Sequence, residues 1–310
     1  LASLARTHAD TPMAARSYGQ VAAPSAFGAL VAAWGRPLLR HKARLNTFSG
    51  EFFTLSLSGA AGTSAVWGAQ TPALRAELAK ALGLRDPSHS WHAERDSMAE
   101  FASLLSGLLG SLGKMGTDLI LLTRSELGEL RLPKAGGSST MPQKQNPVAA
   151  SALVALARHG QAMAHVMQGA TLHAEARDGA AWFTEWLSLP PLVMAAAKSA
   201  AISAELAQGM TPDTDAMAAR LADPLGLIRA EGLSFALAAH MPRPEAQAAI
   251  KALCKTAQET GRPLPDLVAE AHPEIADDAQ APITALLGQA PAEARSFADD
   301  VTKALNRTKA

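Results

Sequence analysis

The sequence has a single cysteine, a single tyrosine and no surplus of either charge. With only Cys254 the chain cannot close an internal disulfide, so its stability has to come from a packed core, and a reducing, cytoplasmic setting is expected. Its 28 basic and 28 acidic residues cancel to +0. No global field draws it to nucleic acid or to an anionic membrane, and neither is expected as a partner; an anionic substrate would have to be held by a local cluster of cations. Aromatics are scarce, and Ala and Leu outnumber the branched residues that suit strands, so the fold class expected is all-α. The most apolar run, from Leu187 to Ala197, is short, contains Pro190 and Pro191 and ends at Lys198, so no membrane span is expected. The opening LASLARTHAD has no basic-then-apolar leader and no capping residue ahead of Leu1, Leu4, Ala5 and His8, which predicts that Leu1 lies inside a helix begun earlier. Dinucleotide and phosphate-loop glycine motifs are missing, and no histidine has a ligand-like spacing to others, so no cofactor and no metal site is expected.

What is present is helical periodicity. From Ser97 to Thr123, Met98, Phe101, Leu105, Leu108, Leu112, Met115, Leu119 and Leu122 recur three and four apart, a seam that predicts a long bundle helix. Gly107, Gly110, Gly113 and Gly116 share that helix, and their cost there predicts close backbone approach on a second face. Other helices are predicted from Pro24 through Leu45, from Pro72 to Ala81 with Leu74, Leu78 and Leu82 buried, from Pro147 to Gln168 with Asn146 as cap, and from Trp182 to Gln208. The stretch from Thr47 to Thr63 alternates apolar and small polar residues, and reads as an extended excursion. Beyond Thr211 prolines break the pattern into short pieces, which predicts a central helical domain over 1–211 and a small helical C-terminal domain over 212–310.

Between the seam helix and the helix at Pro147 runs KAGGSSTMPQKQNP, residues 134–147. Small hydroxylated residues lead straight into a helix N-terminus, whose free N–H groups and partial positive charge suit a carboxylate, and Lys144 adds a full charge. Gly137 to Pro147 resembles the GSSxMPxKxNP signature of the fumarase/aspartase superfamily. The resemblance implies a mostly helical homotetramer with active sites shared between subunits, and chemistry that adds or removes a group β to a carboxylate. It implies Ser138 as the catalytic serine, and Lys144 and Asn146 as residues that stabilise an enediolate intermediate, with Ser139, Thr140 and Met141 beside them.

Residues 10–20, DTPMAARSYGQ, resemble a second superfamily region and imply Arg16, Ser17, Tyr18 and Gln20 as substrate-binding. Tyr18 stands where the superfamily usually has a catalytic histidine, and Ser151 where a glutamate supports it. A hydroxide or amine leaving group needs that acid; a carboxylate that closes a lactone does not. The blocks 57–68, 90–96 and 173–186 resemble the carboxymuconate cycloisomerase branch of the superfamily. They imply His92, Arg95 and Arg177 as substrate-binding residues, with Asp96 and Glu175 behind them as neutralisers of nearby arginines. The expectation is a cofactor-independent intramolecular lyase acting on a small tricarboxylate. Two alternatives are an adenylosuccinate-lyase-like enzyme, which Tyr18 and Ser151 argue against, and a non-catalytic scaffold, which the intact loop argues against. The superfamily region that normally precedes Leu1 has no counterpart in this numbering.

Overall fold

The computed structural model describes residues 1–134, 136–137 and 140–309. In chain order its elements are α1 (Ala2–Thr7), β1 (Pro12–Ser17), β2 (Gln20–Ala26), α2 (Phe27–Phe52), α3 (Thr71–Leu82), α4 (Asp96–Leu122), β3 (Leu130–Arg131), α5 (Val148–Gly169), α6 (Gly179–Gly209), β4 (Thr211–Pro212), α7 (Thr214–Leu221), α8 (Ala230–Leu237), α9 (Arg243–Thr260), α10 (Leu264–Ala271), α11 (Ala276–Gln280) and α12 (Ala290–Lys309). The fold is all-α apart from two small antiparallel pairs, β1–β2 and β3–β4. It divides into two compact units, one formed by residues 1–35, 122–131 and 211–310, the other by 36–121 and 132–210.

In the first unit α1 packs on α12. A side chain at Gly28 would collide with the Ala5 carbonyl, and one at Gly35 with the Phe297 ring, so both glycines permit close contact. A second cluster joins α8, α9, α10 and α11 through Leu233, Leu237, Ile250, Leu264 and Val268. Residues 12–26 form a β-hairpin that the helical reading misses. Pro24 pairs across from Ala14 in β2, and α2 starts only at Phe27. Proline cannot donate to a ladder but is tolerated in such an edge strand.

The second unit is a bundle. Ala102, Leu105 and Leu109 of α4, Ala157, Ala164 and Met167 of α5, and Leu192, Ala195 and Ala196 of α6 share one core. Leu109, not the expected Leu108, is fully buried, because an α-helix repeats every 3.6 residues and a wide buried stripe drifts off a strict seam. The glycines act as expected: a Cβ at Gly113 would lie 2.6 Å from Ala157 Cβ, and one at Gly116 2.8 Å from the Ala150 carbonyl oxygen. In α3 the buried face is Thr71, Arg75 and Ala79, not the leucines; Leu74 and Leu82 are exposed. Arg75 turns inward because it donates to Asp86 at 2.5 Å. Residues 47–52 continue α2, so the extended excursion starts only after Phe52. Pro147 itself, not Asn146, occupies the cap position of α5, while α6 begins at Asp178, whose carboxylate accepts from Ala180 and Ala181 N–H.

By length and composition α4 and α6 could each cross a bilayer, contrary to the shorter apolar run read from the sequence. Both nevertheless carry charged groups, the Lys114–Asp118 pair on α4 and Glu185 on α6, and share a packed core, as bundle helices do.

Gly116→Ala gains about 1 kcal/mol in intrinsic helix propensity yet should lower stability, because the added carbon meets backbone and Leu153. Gly232→Ala, in α8 with open space around it, should raise stability by about the propensity term. Chemical denaturation of the two variants checks the opposed signs.

Candidate active site

The residues singled out in the sequence fall into three constellations. The first is the hairpin tip. Ser17 pairs with Gln20, leaving Tyr18 and Gly19 as a two-residue turn with φ of 52° and 76°. Positive φ at both positions is the type I′ geometry that matches strand twist, usually with Asn, Asp or Gly first. Tyrosine there is strained, and its side chain stands wholly in solvent. Two residues before it, Arg16 donates through Nη1 and Nη2 to Glu129, at 2.7 and 2.8 Å. The Glu129 side chain is 0% exposed. Sequence reading missed Glu129 altogether.

The second constellation gathers three loops of the helical bundle unit, those over 53–68, 86–95 and 170–178. They are the blocks singled out in the sequence, and the structure joins them. Trp91 Nε1 donates to the Leu55 carbonyl at 2.9 Å, and Arg177 reaches the Gly59 carbonyl at 3.5 Å. The Arg177 guanidinium lies 4.3 Å from the Trp182 ring centre, in cation–π contact. Its Nη2 is 3.4 and 3.3 Å from the two ring nitrogens of His92. The two nitrogens of an imidazole point apart in its plane, so an atom nearly equidistant from both sits over the ring face, and the contact is with that face. Arg177 thus lies against both rings, which themselves meet edge to face with centroids 6.4 Å apart. Ser64, Ser88 and Glu175, one in each loop, have positive φ, strain of the kind that collects where geometry serves a function. Asp178 orders the third loop: besides the two helix N–H groups it accepts from Ala174 N–H, and these bonds hold its carboxyl below the ordinary range.

Arg95 makes a bidentate pair with Glu185 at 2.5 and 3.0 Å, both side chains 9% exposed, and packs over Trp91. The expected neutralisers, Asp96 and Glu175, form no ion pair among the described residues. Asp96 instead opens α4, where its charge favours the helix N-terminus, and Glu175 spends its backbone on a left-handed turn. Glu185 lies inside a block quoted from the sequence, but only the tertiary fold brings it to Arg95, 90 positions away.

The third constellation is the signature loop. Gly136 and Asn146 exchange two backbone hydrogen bonds, each 2.9 Å, and so close its neck. A side chain at Gly136 would meet the Val148 side chain at 2.5 Å, so the neck is closely packed there. Thr140, Met141 and Lys144 are exposed, and Lys144 has no carboxylate partner among the described residues. Asn146 is half-buried directly ahead of α5. Ser138 and Ser139 lie outside the described residues. Three long helices therefore begin at the residues of interest: α4 after Arg95, α5 after Asn146 and α6 after Arg177.

A bundle whose long helices start beside cations and a hydroxyl-rich loop suits carboxylate chemistry, and residues 1–161 match the family described as Lyase. The chain belongs to this family, part of the fumarase/aspartase superfamily. It is 37% identical over 273 residues to the 3-carboxy-cis,cis-muconate cycloisomerase of Pseudomonas aeruginosa, covering 87% of this chain and 60% of that protein. It is 35% identical over 280 residues to trans-aconitate decarboxylase 1 of Mycosarcoma maydis, covering 89% and 56%. The crystal structure of the 3-carboxy-cis,cis-muconate lactonizing enzyme from Pseudomonas putida superposes with a TM-score of 0.88 at 29% identity, over 98% of this chain and 69% of that one. The chain thus spans about 60% of the length of the curated relatives it matches.

The pKa of His92 is lowered, first by burial and then by Arg177 and Arg95. Below about 6.5, the ordinary imidazole value, the unfolded chain takes up a proton that the folded one resists. The stability His92 contributes is therefore full above that value and lost as pH falls through the lower folded pKa. Thermal midpoints measured from pH 7.5 to 5 should fall for the unaltered protein and fall less for His92→Gln.

Proposed function

We propose that this chain is the core of a cofactor-independent cycloisomerase that lactonises 3-carboxy-cis,cis-muconate to 4-carboxymuconolactone, as part of the β-ketoadipate route of aromatic-acid breakdown. One observation carries the reading: the residue at the leaving-group acid position is a tyrosine, presented at a strained turn, and its usual glutamate support is replaced by Ser151. A phenol is a weaker proton donor than an imidazolium, and Tyr18 has no carboxylate partner among the described residues, so it suits a departing amine or hydroxide poorly. Lactonisation has no such requirement.

In this reading one terminal carboxylate oxygen bonds to the carbon that carries the 3-carboxyl group. The π electrons of that double bond move onto the neighbouring carbon and its carboxylate, giving an enediolate. Ser138 then delivers a proton to that neighbouring carbon, and no group leaves. Lys144, Asn146 and the start of α5 would stabilise the enediolate charge. Arg177, held against Trp182 and His92, would bind a second carboxylate. Arg95 is already neutralised by Glu185, and its part is to hold the loop over 86–95.

We also propose that the chain works as a cytoplasmic homotetramer with sites shared between copies. Phe183, Trp186, Leu187 and Met194 recur at helical spacing on α6 and are exposed, a row of large apolar side chains suited to contact with another copy.

The test is the ultraviolet change of 3-carboxy-cis,cis-muconate with the full-length enzyme, in deuterated water, with trans-aconitate and adenylosuccinate as competing substrates. Lactone carrying one deuterium α to a carboxylate is expected, with turnover lowered by several orders of magnitude in Ser138→Ala. Efficient cleavage of adenylosuccinate, or decarboxylation of trans-aconitate in preference to lactonisation, would overturn the proposal. Sedimentation should give four chains; a stable, active monomer would contradict the assembly.

A further inference from the structure

The hairpin over 12–26 is anchored in an unusual way for a surface element. Its register slips between Ala14 and Arg16: Ala14 pairs with Pro24 but Arg16 with Val21, so Ala22 and Ala23 together face Ala15. Such a bulge re-aims the side chains beside it. Arg16 extends to Glu129, and its Nη1 also donates to the Ala14 carbonyl at 3.3 Å, tying the bulge shut.

Glu129 is in turn fixed at its backbone. Its N–H donates to the Leu122 carbonyl and its carbonyl accepts from Asp213 N–H, both at 3.0 Å. The next two residues, Leu130 and Arg131, pair with β4, and Arg131 donates to Asp213 at 2.7 Å. A continuous set of bonds therefore runs from the interior of this unit through Glu129 and Arg16 to a point two residues short of Tyr18.

A buried ion pair adds little net stability compared with well-packed apolar side chains, but two parallel hydrogen bonds define distance and orientation together. That property matters at a turn where a bulky residue sits at positive φ with no packing of its own. It also bears on Arg16 as a substrate ligand. A substrate carboxylate that drew Arg16 away would leave Glu129 charged, fully buried and unpaired.

We propose that Glu129 is a positioning residue that acts through Arg16 to hold Tyr18 at the reaction site, and that Arg16 itself does not bind substrate. The assignment rests on the proposed reaction in one respect: Tyr18, which the motif implies as a substrate-binding residue, orients the bound muconate without acting as an acid.

The test uses full-length enzyme with 3-fluorotyrosine installed at position 18, in the Glu129→Gln, Arg16→Lys and paired Arg16→Met/Glu129→Met forms. Misplacing the tip by an ångström is expected to lower kcat on the order of 10²-fold in Glu129→Gln, with KM little changed and the fluorine line narrowed by motion. The apolar pair should recover much of kcat and the broad line, since packing replaces the clamp. A rise in KM in the apolar pair, with kcat kept, would make Arg16 a substrate ligand and overturn the proposal. So would an unchanged fluorine line and kcat in Glu129→Gln. If Glu129→Gln does not fold, Arg16→Lys, which keeps the charge but loses the two-pronged geometry, is read by the same criteria. If the unaltered enzyme fails to turn over the muconate, the reaction is wrong, and the fluorine spectra still decide whether Glu129 holds the tip.

Discussion

The close approach of α4 to α5 at Gly113 and Gly116 is the constraint on which the bundle depends. A single carbon at Gly116 would meet the Ala150 carbonyl oxygen at 2.8 Å and Leu153 Cβ at 2.9 Å, so the spacing of these helices is set by the absence of side chains. Cores are close-packed, and a spacing fixed at one level fixes the layers above and below. Leu105 and Leu109 then reach Ala157, Ala164 and Leu192 in one cluster, and α6 takes its place. Each of the three helices starts directly after residues assigned to the chemistry, so the glycines of α4 help to place Arg95, Asn146 and Arg177 without touching any of them.

Charge is handled with the same economy. The chain has no net charge to spare, and the structure assigns two of its arginines to buried glutamates: Arg16 to Glu129 and Arg95 to Glu185. Each pair removes a cation from the set that seemed free to meet a substrate, and in exchange fixes a loop or hairpin. What remains is a smaller set. Lys144 sits on the signature loop, and Arg177 lies against the Trp182 ring and beside His92. For a reaction that carries charge from a carboxylate to an enediolate, a few well-oriented cations with donors to spare suit the task better than many solvated ones.

Strain is local, and within the helical bundle unit it gathers in the loops around Arg177. Tyr18, Ser64, Ser88 and Glu175 are the non-glycine residues with positive φ among those described. One is at the hairpin tip and three are in the loops that meet around Arg177 and His92. Residues such as these persist only where surrounding bonds over-determine the backbone. Asp178 supplies such bonds on one side and the Trp91–Leu55 contact on another.

Much of this was legible in the order of residues alone. The long helix from Asp96 to Leu122, the use of its glycines, the signature loop and the helical class follow from periodicity and motif, which are local properties of a chain. The hairpin was not legible, because Ala15, Ala22 and Ala23 have no strand preference and the turn begins with a tyrosine where the rule asks for Asn or Asp. The buried face of α3 was misread because Arg75 is turned inward by Asp86, which no helical pattern foretells. Sequence alone determined which segments are helical and which residues are equipped for carboxylate chemistry. Only the tertiary structure decided which of those residues keep their charge available, since Glu129 and Glu185 lie 113 and 90 positions from the arginines they neutralise. Pairing at that separation depends on how the elements within each unit pack, and burial, which makes each pairing obligatory, exists only once they have packed.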